Sequence, residues 1–210
     1  MLTELAQALV GQFADKLDMR FIAGAGGVLI CPLITISLIG LRVLLRPGFD
    51  FIPVDQHMRT NVPHIYAIGD VVGNPMLAHK ATHEGKVAAE VIAGRSSAFD
   101  VRAIPAVVYT DPQIAWAGIT EESARQQGMA VAVEKFPWKF AGRALTTGTP
   151  VGLTKMIIDA DTRRVIGVGI TGRGAEGLIA EGVLAIEMGA LAEDVALSMH
   201  AHPTLSETEG

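Results

Sequence analysis

The sequence predicts a short α/β segment followed by an α+β domain, and three observations carry that prediction. "VPHIYAIGD" (62–70) is β-branched and aromatic, ends in Gly-Asp, and runs into an Ala-rich stretch from Leu77 to Ala93 that stops at Gly94, a β-then-α step. After the turn-rich "RSSAFD" (95–100), three strand-like stretches follow, "MAVAVEKF" (129–136), "TKMIID" (154–159) and "VIGVGIT" (165–171), the last two joined by the turn "DADTRR". Finally, Ala175 to Met188 has helical spacing, with Leu178, Ile179, Val183 and Ile186 on one inward face. Hairpins with helices laid on one side make an α+β domain.

In chain order, residues 3 to 17 read as a helix capped by Thr3, with Leu5, Leu9, Phe13 and Leu17 aligned. The glycine run "GAGGVL" invites a dinucleotide-loop reading, but G-x-G-x-x-G would need glycine at Leu29, and Pro32 interrupts the helix that should follow. Phe21 to Leu41 carries no charge over a length that could span a bilayer. Pro32, the clustered glycines and the acidic residues before it favour buried strands instead, and the flanks do not suit a signal peptide. The apolar run from Val28 to Leu45 has neither clear period nor caps. "DFIPVD" (50–55) reads as a short strand and "AVVYT" (106–110) as another. Thr120 caps a short helix ending at Gly128, and a second short helix spans Ala192 to Ser198.

Composition narrows the function. Half of the 210 residues are apolar, enough for a real core, and the net charge is −5 with no dense basic run, which disfavours nucleic acid and membrane surfaces as partners. Cys31 is the only cysteine, so there is no internal disulfide or C-x-x-C pair, and a reducing cytoplasm suits the chain.

The chemistry concentrates in "HAHPTLSE" (200–207). His202 and Glu207 can form an acid–base couple, because a histidine titrates near neutrality and a carboxylate can orient it. Thr204 and Glu207 equally fit a capping box, with Glu207 bonded back to the Thr204 N–H. His200 and His202 as a metal pair lack a third ligand, and there is no G-x-S-x-G elbow for a serine hydrolase.

"MRTNVPHIYAIGDVVGNPMLAHKATHEGKVAAEVIAG" (58–94) and "HAHPTLSE", in that order, resemble the dihydrolipoamide dehydrogenase family within the flavin disulfide reductases. The resemblance spans about residues 50 to 210. It implies that 49–96 is the C-terminal part of an FAD-binding domain and 97–210 an α+β interface (dimerisation) domain, while 1–48 matches little.

It further implies that Asp70 accepts hydrogen bonds from flavin hydroxyls and that Gly69 allows close backbone approach. Met76, Leu77, Ala78 and His79 would open a helix facing the flavin. His202 would be the base, Glu207 its orienting carboxylate, and His200 a packing residue. A cis His202–Pro203 bond is expected, with Glu207 within about 3.2 Å of the imidazole.

The implied reaction oxidises protein-bound dihydrolipoamide to lipoamide with NAD, through FAD and a redox disulfide. Its implied partners are a second copy of the chain and lipoyl domains of 2-oxo acid dehydrogenase complexes or the glycine cleavage system. The Cys-x4-Cys pair and both nucleotide loops of that family are missing from the sequence. The expectation is therefore an incomplete chain that holds FAD weakly or not at all. The alternatives are a non-catalytic dimerisation fragment of the same enzyme, or a related flavin disulfide reductase.

Overall fold

The computed structural model describes the backbone of residues 21–23 and all of residues 51–210. The helix expected over 3–17, the glycine run, Cys31 and the apolar stretch 28–45 lie outside the described residues. The chain divides into two compact units, residues 1–100 and 101–210.

In the first unit, β1 (Phe21–Ala23) pairs in parallel with β2 (Ile65–Ala67). The strand within "VPHIYAIGD" is thus short, and it gives way to a 3-10 turn, Gly69–Val72. Helix α1 (Ala78–Ile92) follows, ending just before Gly94, whose φ of 78° suits a residue without Cβ. Its apolar face, Val87, Ala88 and Val91, packs with Met58 and Tyr66 into a small core.

The described part of "DFIPVD", residues 51–55, forms no strand. Pro53 has no N–H to give a ladder, and Asp55 bends the chain by accepting the backbone N–H of His57 and of Arg59, at 2.8 and 2.9 Å. Ile52 still reaches the core side, tied to the Val71 carbonyl.

The second unit is a five-stranded antiparallel sheet in the order β3-β4-β7-β6-β5. The strands are β3 (Ala106–Val108), β4 (Ile114–Gly118), β5 (Val131–Pro137), β6 (Leu153–Asp159) and β7 (Val165–Thr171). β4 is an addition to the sequence reading. Its buried positions, Ala115 and Ala117, are small, and the larger Ile114 and Trp116 face outward, so its apolar signal is inverted.

β5, β6 and β7 form the meander that the alternation implies. The 159–164 turn closes it, with Asp159 Oδ1 accepting the Thr162 N–H (2.7 Å) and hydroxyl (2.8 Å). Thr120 caps α2 (Glu121–Gln126) by accepting from the Ser123 N–H at 3.1 Å. A short helix α3 (Gly142–Thr146) lies between β5 and β6.

α4 (Ala175–Met188) lies on β4 and β7 and buries Ala175, Ile179, Gly182, Ala185 and Ile186. α5 (Ala192–Leu197) follows it. The main core joins these to Met156, Ile158, Val165, Val168, Ile170 and the fully buried Trp138. Gly152 and Gly172 flank the indole so closely that a Cβ at either would overlap it.

Candidate functional site

After α5 the chain makes a compact turn rather than a long helix, and a 3-10 turn covers only Ser206–Thr208. The Thr204 hydroxyl donates to the Ala201 carbonyl at 2.7 Å. Glu207 then uses its two oxygens separately: Oε2 accepts the Thr204 N–H at 2.8 Å and Oε1 meets His202 Nδ1 at 2.9 Å. The capping contact and the histidine–carboxylate pair are therefore both present, one per oxygen. His202–Pro203 is a cis bond.

These contacts fix protonation. The Thr204 N–H, followed by His202, holds the Glu207 carboxyl below its ordinary value, so it is an anion near neutrality. A carboxylate can only accept, so Nδ1 of a neutral His202 must carry the proton. Nε2 is then the free lone pair, on a side chain that is three-quarters exposed. The pair thus presents one basic nitrogen to the outside.

Behind it stands a second pair. His200 Nε2 lies 2.7 Å from Glu181 Oε1 on α4, and the imidazole is largely enclosed. His200 is thus held by an ionisable partner and does more than pack.

Beyond Glu207 the segment is pinned to the core. Thr208 donates its hydroxyl proton to the Leu205 carbonyl at 2.7 Å, and its oxygen lies 2.7 Å from Thr154 Oγ1. Trp138 Nε1 donates to Thr154 at 2.9 Å. A hydroxyl has a single proton, so the chain has one direction: Trp138 to Thr154, Thr154 to Thr208, Thr208 to Leu205.

The other residues singled out from the sequence lie in the first unit. Gly69 is buried at φ 79°, and Asp70 follows it on the exposed side of the turn. Leu77 is the N-cap of α1 and offers no side-chain cap to the first-turn N–H groups, where Ala78 and His79 stand exposed beside Met76. Sequence reasoning missed what holds this turn. Glu84 Oε2 accepts the Gly69 N–H at 2.6 Å, while Lys80 pairs with Glu84 Oε1 at 2.7 Å and donates to the Gly73 carbonyl. Lys80 and Glu84 are both buried, one turn apart on α1. Their i, i+4 spacing inside an Ala-rich helix was the available signal. Among the described residues, no group of three or more His, Cys, Asp or Glu could hold a metal ion.

Residues 104–209 match the family model for the pyridine nucleotide-disulphide oxidoreductase dimerisation domain, and residues 47–85 match the pyridine nucleotide-disulphide oxidoreductase model. The chain belongs to this family. Among curated relatives, the dihydrolipoyl dehydrogenase of Haemophilus influenzae is 57% identical over 160 residues, which cover 76% of this chain and 34% of that protein. The dihydrolipoyl dehydrogenase of Geobacillus stearothermophilus is 50% identical over 169 residues, 80% of this chain and 35% of that protein. The chain therefore spans about a third of the length of these relatives.

Among solved structures, LpdA of Mycobacterium tuberculosis superposes with a TM-score of 0.72 at 27% identity, covering 79% of this chain and 36% of that one. The HOCl-induced flavoprotein disulfide reductase RclA of Escherichia coli gives the same score at 22% identity, over 80% of this chain and 39% of that one, a likeness of fold. The second unit has the antiparallel sheet of the family's dimerisation domain, and the first carries part of the family's larger domain. No helix among the described residues is long and apolar enough to cross a membrane.

Proposed function

We propose that this chain supplies the acid–base pair and the dimer-forming domain of a dihydrolipoyl dehydrogenase, which oxidises protein-bound dihydrolipoamide to lipoamide. The observation that carries the reading is the divided Glu207 carboxylate, which fixes the His202 tautomer and leaves Nε2 free. A dithiol attacks as a thiolate, so its first requirement is a base. Nε2 of His202 takes the thiol proton, Glu207 faces the imidazolium so formed, and the proton can later return to a leaving thiolate. The cost of misplacing either group falls on that proton transfer.

The sequence holds one cysteine, so this chain contributes no redox disulfide of its own. The redox disulfide is assigned to protein outside these 210 residues, and residues 97–210 are assigned the role of pairing two subunits. Leu184, Met188, Leu197 and Met199 support that assignment: all are exposed on the second unit, Met199 to 99%. The partners assigned on the same reading are a second copy and the lipoyl domains of a 2-oxo acid dehydrogenase complex or the glycine cleavage system. The compartment is the cytoplasm.

Residues 49–96 fit one end of an FAD site. Asp70 exposes an acceptor carboxylate for ligand hydroxyls, and the start of α1 at Met76 to His79, where Leu77 gives no side-chain cap, turns the positive end of the helix dipole the same way a flavin phosphate or ring would need. Gly69 gives the turn its left-handed bend, and its own N–H is spent on Glu84. When bound, FAD supplies the two-electron acceptor chemistry between dithiol and NAD. No described residue is assigned to NAD.

The test is a chimera in which residues 51–210 replace the matching stretch of the Haemophilus influenzae enzyme. His202→Gln in that chimera should lower dihydrolipoamide oxidation by roughly a hundredfold or more, the usual scale for a lost general base, with flavin content unchanged. An unchanged rate removes His202 from the reaction.

A further inference from the structure

Glu209 is the one described residue whose side-chain polar atoms are buried without a hydrogen-bond partner, and this holds for both carboxyl oxygens. The residue is 5% exposed. Such a group calls for an explanation, because an ionised carboxylate in that place would have lost water and gained nothing.

Its surroundings sharpen the point. Thr208, one residue earlier, is the buried end of the hydroxyl chain from Trp138 and Thr154, and those groups are neutral. From α4 the charged group set against Glu209 is Glu181, which raises the cost of a second negative charge. On its own segment stand His200, whose Nε2 is already committed to Glu181, and Glu207, whose oxygens are committed to Thr204 and His202. Gly210 sits against the other edge of the His200 ring. No cation among these is left for Glu209.

We propose that Glu209 is a positioning residue for the His202–Glu207 pair and a pH-sensitive latch: protonated, it docks the 203–210 segment, and ionised, it releases that segment together with Glu207. Burial first, and the Glu181 charge second, push its carboxyl up to about 8. The docked carboxyl holds its proton more tightly than a solvated one. Docking is therefore most favoured below the ordinary carboxylate value of 4.5, weakens as pH rises from there, and reaches its floor above about 8. Across that window the opening equilibrium should rise roughly tenfold per pH unit for one linked proton. The catalytic consequence rests on the reading of His202 and Glu207 given above. The latch itself stands on Glu209.

The two are separable by experiment. In the 210-residue chain carrying Trp116→Phe, Trp138 is the remaining indole, and its emission can be followed from pH 5 to 10 alongside amide exchange of 203–208 corrected for intrinsic rates. The unaltered latch should show a pH-dependent rise in opening that levels off near pH 8. Glu209→Gln, neutral at every pH, should abolish the rise, and Glu209→Met should do the same if the amide is poorly tolerated. Glu181→Gln should move the plateau to lower pH. A rise that persists unchanged in both Glu209 variants overturns the latch, as does flat behaviour in the parent. If the latch operates but His202→Gln leaves the chimera's rate intact, it is the functional reading that fails.

Discussion

Removing the middle hydroxyl of the Trp138–Thr154–Thr208 chain should cost the second unit about 2–3 kcal/mol, and the figure follows from the direction of that chain. Thr154→Val is nearly isosteric, so packing around the site changes little. Trp138 Nε1–H, on a side chain with no exposed surface, loses its only acceptor. A buried donor left without a partner costs about 1–3 kcal/mol. Thr208 keeps its bond to Leu205 but loses the proton donated by Thr154, a further loss of about 0.5–1.5 kcal/mol. The extra buried methyl offsets a fraction of this, about 0.8 kcal/mol at most. Urea unfolding followed by Trp138 emission, with Trp116→Phe in every variant, is the assay. With a slope of about 1–3 kcal/mol/M, the midpoint should fall by roughly 1–2 M. Thr154→Ser preserves both hydrogen bonds and should lose far less. Equal losses for valine and serine, or a midpoint shift below about 0.3 M for valine, would refute the directed chain.

Three further outcomes follow from the structure. Glu207→Ala should release the His202 ring from its fixed tautomer, and nitrogen NMR of the ring should show Nδ1–H falling from the dominant form to the mixture of a solvated histidine; an unchanged spectrum would mean that Glu207 does not orient it. Because the Glu207 carboxyl is depressed in the fold, its contribution to stability is present above the ordinary carboxylate value of 4.5 and disappears as pH falls through the lower folded value, so the stability difference between the wild type and Glu207→Ala in urea unfolding should shrink only at acid pH. Gly182→Ala tests packing on α4: alanine gains about 1 kcal/mol of helix propensity, but its Cβ would stand 2.9 Å from Val168 Cβ and Cγ2. Val168 is a buried strand residue that cannot swing away, and overpacking costs about 1–3 kcal/mol, so a net loss near 1 kcal/mol is expected on denaturation; a more stable variant would contradict it.

Much of the second unit was legible because its signals are local. The 3.6-residue spacing of Ile179, Val183 and Ile186 fixed α4, and Gly189, at φ 64°, ends it. The alternation in β6 and β7, with the Asp159 turn between them, fixed the hairpin. β4 was missed because its inward residues are alanines and its large apolar ones face outward. "DFIPVD" misled because strand-like composition says nothing about ladder partners, and Pro53 and Asp55 had already committed this backbone elsewhere.

At the site the same division holds. The sequence by itself put two partners within reach of Glu207, His202 and the Thr204 N–H, since all three residues lie within six positions, and a single tight turn brings them together. Only the tertiary structure decided that His200 meets Glu181 across 19 residues, that Thr208 meets Thr154 across 54, and that Glu209 is enclosed without a partner. The physical reason is that hydrogen bonds inside a turn depend on backbone angles, which a few neighbouring residues set. Burial and long-range pairing depend on which surfaces the whole fold brings together, and a glutamate two places from Glu207 reads the same whether water or Trp138's neighbours surround it.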